Sequence, residues 1–537
     1  MTAASTPSTS AGAPLFRQTT SQRILSIHFP HLPADRVARS RWGASWLSRG
    51  RPDHPPVVFA AKIDNAMRLI ALDTLAERIG LKRGQGAAEA RAMCPSLDVI
   101  AADPSADQAF LEALADWCDR YTPLVALDGT DGLFLDITGC AHLHGGEKAL
   151  VSDVLSRLFS LGVEARATVS SSAGLSWAAA RYGKDAVIAP EDADRVLAPL
   201  PVTALRLPAE TAAALERVGL KEVGDLLEAP RAPLARRFGS CLLLRLDQAR
   251  GLEDEPLSPR LPVPSFSSER RLAEPLQDEE YILELTRHLA KDVRSSLERH
   301  GEGGRLFELL LFRVDGRVFR VRAHAAVPLN DADRIAALFR ERLQAVHDDL
   351  DAGYGFEILR LAVIRSERLD PAQEDFSGVA DESQPLAAFI DKVSARFGPD
   401  CLMQAALFES HLPERAGGFA PLRDVAAAMR PSALEGKAIP ENRPLRIFAH
   451  PERVEATAEV PDGAPRSFNW RKTHYRVARA EGPERIAAEW WIDGEAHPTR
   501  DYFRVEDQEG RRFWLFREGL YGREVSTARW FMHGVFA

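Results

Sequence analysis

Cysteine is scarce: five residues in 537, at 94, 118, 140, 241 and 401, with no CxxC pair. That excludes a disulfide framework and a cysteine zinc site, and it fits a reducing compartment. Long apolar runs are also missing. No stretch of about 18 hydrophobic residues occurs, which excludes a membrane-spanning helix of ordinary length. Basic charge is not in excess either: 68 Lys and Arg stand against 77 Asp and Glu, a formal net charge of -9. A protein that holds nucleic acid by bulk charge is therefore excluded, and any such contact must be regional. The opening "MTAASTPSTSAGAPLFRQTT" lacks the apolar core of a signal peptide and reads as a disordered leader over 1–20. A cytoplasmic protein with no membrane partner is expected.

What is present suffices for several domains. With 45% hydrophobic residues over this length, three to five ordinary cores are expected. "RILSIHF" (23–29) and "PPVVFA" (55–60) read as strands. Phe110, Leu111, Leu114, Cys118 and Tyr121 recur at helical spacing. They lead into "YTPLVALDGTDGLFLDITGC" (121–140), two short apolar runs around an Asp/Gly turn. A helix (147–161) and an alternating strand (163–170) follow, so this part mixes strands with covering helices. Residues 219–239 read as helix, glycine turn, helix, and Pro256–Pro264 as a linker. A long helix (278–300) then precedes a hairpin over 305–325 with Asp315-Gly316 at its turn. Residues 369–440 are uneven around one short helix (385–397), and the last hundred residues collect Trp470, Trp490, Trp491, Trp514 and Trp530 in strand-like runs.

The strand "ILSIHF", the hairpin "VALDGTDGLFLDITG" and the intervening "GLKRGQGAAEARAMCPSLDVI" (80–100) resemble the amino-terminal half of a Y-family translesion DNA polymerase, over roughly residues 21–368. The resemblance implies an α+β multidomain fold. Its parts are a palm (21–50 and 97–185), fingers (51–96), a thumb (186–262) and a little finger (263–368), then a linker (369–440) and a small β-rich carboxyl-terminal domain (441–537). In that family the first palm strand supplies an aspartate and the hairpin an adjacent Asp and Glu, which hold two metal ions about 3.5 to 4 Å apart for phosphoryl transfer. Aligned on "LDIT", Asp131 keeps the family aspartate, but Gly132 stands at the glutamate and His28 at the other aspartate. Glycine offers no ligand, and imidazole is a poor substitute for a carboxylate around Mg²⁺. Thr74 and Glu77 occupy the positions of a tyrosine and an arginine that meet the triphosphate, and Gly174 that of a lysine. These are vestigial positions: no catalytic residue, no metal and no cofactor is expected. Asp131 reads as a turn aspartate bonded to neighbouring amides. The alternative is an active error-prone polymerase with displaced ligands, and a further one is a nucleic-acid-binding structural protein without polymerase partners.

"GPERIAAEWW" (482–491), "RDYFRVEDQEGRRFWLFREG" (500–519), "WFMHGVFA" (530–537) and "ESHLPERA" (409–416) resemble the ImuB branch of the family, from bacterial damage-induced mutagenesis cassettes. That resemblance implies a non-catalytic adaptor in translesion synthesis and the SOS response. Its partners would be DNA, the beta sliding clamp, the RecA-like ImuA and an error-prone DnaE-type polymerase, with 441–537 as the protein-interaction domain. DNA contact is expected from the 305–325 hairpin, where Arg320, Arg322 and His324 share one face and Phe319, Val321 and Ala323 the other. It is also expected from the thumb, through the amides of Gly219 and Gly224 with charge from Arg231, Arg236 and Arg237. For the clamp, Gln373, Asp375 and Phe376 in "AQEDFSG" are preferred, ahead of Gln404, Leu407 and Phe408 in "QAALF", which reads as a buried strand.

Overall fold

A computed structural model describes residues 22–346, 350–369, 383–422, 443–459, 461–493 and 498–536. The chain divides into two compact units at residue 370, with residues 324–328 belonging to the second.

The first unit is organised on a four-stranded sheet in the order β5-β6-β1-β7. β1 (Ile24–His28) is flanked by β6 (Gly132–Asp136) and β7 (Arg166–Ser170), both antiparallel, and β5 (Val125–Asp128) pairs with β6. β1 is buried on both faces because both are covered. Leu25 and Ile27 pack with residues of α1 (Pro104–Cys118) and α2 (Glu147–Ser160). Ile24 packs with Ala126, Phe134 and Ala173, the last at the start of α3 (Ala173–Tyr182). Two of these helices start where the sequence provides a cap: the Asp103 carboxylate accepts the Ala106 amide before Pro104, and Ser172 Oγ accepts the Leu175 amide. The strand expected over 23–29 and the hairpin expected over 121–140 both form here.

The fingers region is a small sheet of β2 (Val57–Ile63), β3 (Ala66–Leu72) and β4 (Asp98–Ala101) in the order β3-β2-β4, with β2 and β4 parallel. The thumb region is helical (209–217, 223–228, 231–238) and ends in α4 (Ser240–Arg250). The little-finger region carries α5 (Glu279–His300) and α6 (Ala332–Ala345) with β8 (Phe266–Leu276), β9 (Glu302–Arg313), β10 (Val318–Leu329) and β11 (Phe356–Arg368), ordered β10-β9-β11-β8.

In the second unit a helix (383–397) and a hairpin of β12 (Met403–Leu407) and β13 (Gly417–Pro421) precede a closed barrel. Its strands are β14 (Arg446–Ala458), β15 (Pro465–Trp470), β16 (Thr473–Ile486), β17 (Arg500–Asp507), β18 (Arg512–Glu518) and β19 (Arg529–Val535). Residues 410–416 strap its outside. Leu412 packs with Tyr502, Trp514 and Phe516, and Glu414 pairs with Arg500 at 2.6 Å. The linker expectation over 369–440 is thereby corrected for its described part: residues 383–422 are built into the second unit, because "ESHLPERA" brings both a leucine and charges that the barrel wall matches.

Candidate functional site

The hairpin turn places Asp128 and Asp131 on either side of one cation, and that cation is Arg181 at the end of α3. Its Nη2 lies 3.0 Å from Asp128 Oδ2 and 2.9 Å from Asp131 Oδ1. The guanidinium is backed by the Trp177 ring, 4.1 Å from its centroid and one helical turn earlier on α3. His28 is the residue directly opposite Gly132 in the β1–β6 register. Its Nδ1 lies 3.3 Å from the Asp131 carbonyl oxygen and 3.8 Å from that residue's carboxylate. Burial, helped by Arg181, pushes the His28 imidazole down to about 4, so it is neutral at physiological pH. Burial raises the Asp128 carboxyl, and Arg181 opposes that shift.

Gly132 leaves room for this arrangement: a Cβ there would lie 2.7 Å from Asp128 Oδ2 and 2.9 Å from Arg181 Nη2, so a side chain at 132 would displace the ends of these two side chains. The turn-aspartate reading of Asp131 is therefore replaced: its carboxylate is committed to Arg181. A two-metal centre does not fit these residues. Its one surviving carboxylate is bonded to a guanidinium, its second position is a neutral imidazole, and the third, Gly132, has no side chain to offer. Arg181 was missed from the sequence because it lies fifty residues from Asp131, on a helix that no motif links to the hairpin.

The nucleotide positions are equally changed. Thr74 Oγ1 donates to Glu164 Oε2 at 3.2 Å, and the His31 Nε2 lies 3.8 Å from Glu77 and 3.9 Å from Glu164. Two carboxylates, Glu77 and Glu164, thus gather beside Thr74 and His31. Gly174 serves packing: a Cβ there would sit 2.8 Å from the Ala249 Cα of α4. Among the described residues no group of three or more His, Cys, Asp or Glu side chains is arranged to hold a metal ion.

The expected DNA contacts are redistributed. Gly219 and Gly224 have spent their amides on the Glu216 and Ala198 carbonyls, at 3.1 and 2.9 Å, which corrects the expectation that they reach phosphate. Arg231 is paired with Asp247, while Arg236 and Arg237 stay exposed at the end of their helix. On β10 the alternation is as expected, with Val321 and Ala323 buried. Arg320, however, is not an open surface cation: it is held by Asp116, Asp119 and Glu308. Arg322 pairs with Glu308 at 2.7 Å and keeps half its side chain exposed. His324 follows on the same strand, half-buried.

Gln373, Asp375 and Phe376 lie outside the described residues. "QAALF" corrects its own reading, since β12 is an exposed strand and not a buried one: Leu407 is 56% and Phe408 49% exposed. Exposure also sorts the tryptophans. Trp514 and Trp530 belong to barrel cores, whereas Trp490 and Trp491 are 68% and 58% exposed on a short turn fixed by Arg415 through Glu489 and Asp493.

No helix among the described residues is long and apolar enough to cross a membrane. Residues 43–181 match the impB/mucB/samB family and residues 263–377 its C-terminal domain. The chain is 43% identical over 473 residues to Protein ImuB of Caulobacter vibrioides, covering 85% of this chain and all of that protein. DNA polymerase IV of Alkalilimnicola ehrlichii is 30% identical over 342 residues, 62% of this chain and 91% of the polymerase. Among solved structures, the crystal structure of DinB from Sulfolobus solfataricus aligns with a TM-score of 0.37 at 14% identity, over 64% of this chain and all of that one. An ImuB sequence matched along its full length at this identity means that the chain belongs to the ImuB family of Y-family polymerase homologues.

Proposed function

We propose that this protein is a non-catalytic, DNA-binding adaptor of translesion synthesis, joining the sliding clamp, the RecA-like ImuA and an error-prone DnaE-type polymerase in the cytoplasm. The observation that carries its lack of catalysis is Arg181, which stands between Asp128 and Asp131 where a polymerase needs metal. A guanidinium satisfies two carboxylates but has no coordination sites with which to activate the attacking and leaving oxygens as a metal ion does, so in this reading it preserves the palm and removes the reaction. Primer extension with Mg²⁺ or Mn²⁺ tests this. No template-dependent incorporation is expected, and incorporation that is lost in Asp131→Ala would overturn the reading.

DNA contact in this reading falls to Arg236 and Arg237 of the thumb, which retain exposure, and to the little-finger face that carries Arg322. The partner-binding surface is carried by the second unit, where Trp490 and Trp491 are presented on a rigid turn, as hot-spot aromatics are. The clamp tether moves to 404–408, because exposed Leu407 and Phe408 close an extended segment led by Gln404. Clamp binding by Leu407→Ala/Phe408→Ala should weaken about tenfold to more than a hundredfold, with the melting temperature nearly unchanged. Loss of binding in Gln373→Ala/Phe376→Ala instead would return the tether to 373–376.

A further inference from the structure

The little-finger sheet has two faces. One packs on α5 and α6, and the other carries Arg271, Arg320, Arg322 and Arg360 around an apolar centre of Leu310, Phe312 and Ala362. That second face is not open. Arg320 Nη2 lies 2.9 Å from Asp116 Oδ1 and also pairs with Asp119, both in or just after the last turn of α1. Arg260, from the linker, pairs with the same two carboxylates. Arg360 donates to the Asp119 carbonyl at 2.8 Å, and Arg271 to the Arg120 carbonyl at 3.2 Å. From the palm side Arg120 answers Glu357 of β11 at 2.7 Å, its guanidinium 5.6 Å from the Phe312 ring centroid.

We propose that this joint is an autoinhibitory latch, in which Asp116 and Asp119 hold the arginines of the sheet face as phosphates would, so that DNA engages the face only once the joint opens. The proposal rests on the DNA-binding reading above. Three features support it. The donors of Arg320 are committed, Nη1 to Glu308 and Nη2 to Asp116 and Asp119, so the same side chain cannot serve phosphate in this state. The joint has a small apolar part, Val318 on the palm core and the Gly316 turn against Leu161, and around it a ring of ion pairs and bonds to carbonyls, the polar composition of contacts that separate. Carboxylate and phosphate also present the same paired oxygens to a guanidinium, which makes the exchange a competition between like ligands.

The test uses the full chain and a fluorescein-labelled primer–template DNA, read by anisotropy, with the radius of gyration read by small-angle scattering. Asp116→Asn/Asp119→Asn removes the palm's hold, and Glu357→Gln loosens the joint from the sheet's side. On the helices behind the sheet, Glu284→Gln/Asp333→Asn controls for the two charges removed by the first variant and Glu284→Gln alone for the one removed by the second. Both joint variants should expand the protein and bind DNA about five- to tenfold more tightly than their controls do. Wild type that binds DNA, with joint variants no tighter than their controls, would overturn the latch. Expansion without tighter binding would overturn it too. No binding by any of the proteins, even at low salt, would instead overturn the DNA-binding reading beneath it.

Discussion

Two arginines of the first unit are ringed by carboxylates. Arg181 meets Asp128 and Asp131, all three from the palm, with a tryptophan of its own helix behind it. Arg320 meets Glu308 of its own sheet and Asp116 and Asp119 of the palm. The first cluster is internal to one domain, so the cooperativity of that domain holds it closed. The second joins the palm to the little-finger sheet within the same compact unit, and in the latch proposed above it opens without unfolding either. The same chemistry therefore makes a permanent replacement in one place and a removable one in the other, and what differs is whether the partners share a core.

The largest expected effect lies in the palm. Arg181→Ala leaves Asp128 and Asp131 facing each other without a cation and should cost about 2–3 kcal/mol of stability, read by denaturant unfolding. Gly132→Glu, which restores a family carboxylate in name, should also destabilise and should not yield primer extension, because its Cβ would meet Asp128 Oδ2 at 2.7 Å. Stable protein with restored incorporation would break the account of the palm cluster.

Titration should then separate the two clusters by sign. The His28 imidazole is lowered to about 4, so the unfolded state takes its proton first: the stability it contributes is complete above about 6.5 and is lost as pH falls towards 4. Asp119 is raised to about 6 by burial, against the pull of Arg320 and Arg260, so its contribution is complete below about 3.8 and is lost as pH rises towards 6. Each slope is at most about 1.4 kcal/mol per pH unit. Measured against wild type, His28→Asn should remove the first and Asp119→Asn the second. Slopes of the same sign would show that one of the two environments is wrongly described.

A smaller effect concerns the joint itself. Arg320→Ala should cost about 1–2 kcal/mol, since Arg260 still reaches Asp116 and Asp119 and softens the loss. A cost as large as that of Arg181→Ala would make the joint part of the core. The smallest effect is expected at the thumb, where Arg236→Ala/Arg237→Ala should leave stability unchanged. It should lower the slope of log affinity for DNA against log salt by about one unit for each of the two arginines that touches a phosphate. An unchanged slope would make these two arginines a solvated surface only.

By itself the sequence determined the layered palm, since "ILSIHF" and the 121–140 hairpin read as strands from their own alternation and turn residues. It also determined which carboxylates are absent there, because the glycine at 132 and the imidazole at 28 are visible letter by letter. The helices over 147–160 and 279–300 were legible for the same reason: helix-forming stretches are local, and local signals survive in one dimension. What the remaining carboxylates pair with was decided only by tertiary structure. Arg181 and Asp131 are 50 residues apart, and Arg320 and Asp116 are 204. No spacing rule connects a helix end to a turn, or a sheet face to the end of a distant helix. The alternation of β10 correctly put Arg320 and Arg322 on one face, but whether that face meets water, phosphate or carboxylate depends on what the chain packs against it. The amides of Gly219 and Gly224 and the exposure of Trp490 belong to the same class, because a hydrogen bond spent or a surface left open is a property of neighbours that only folding supplies.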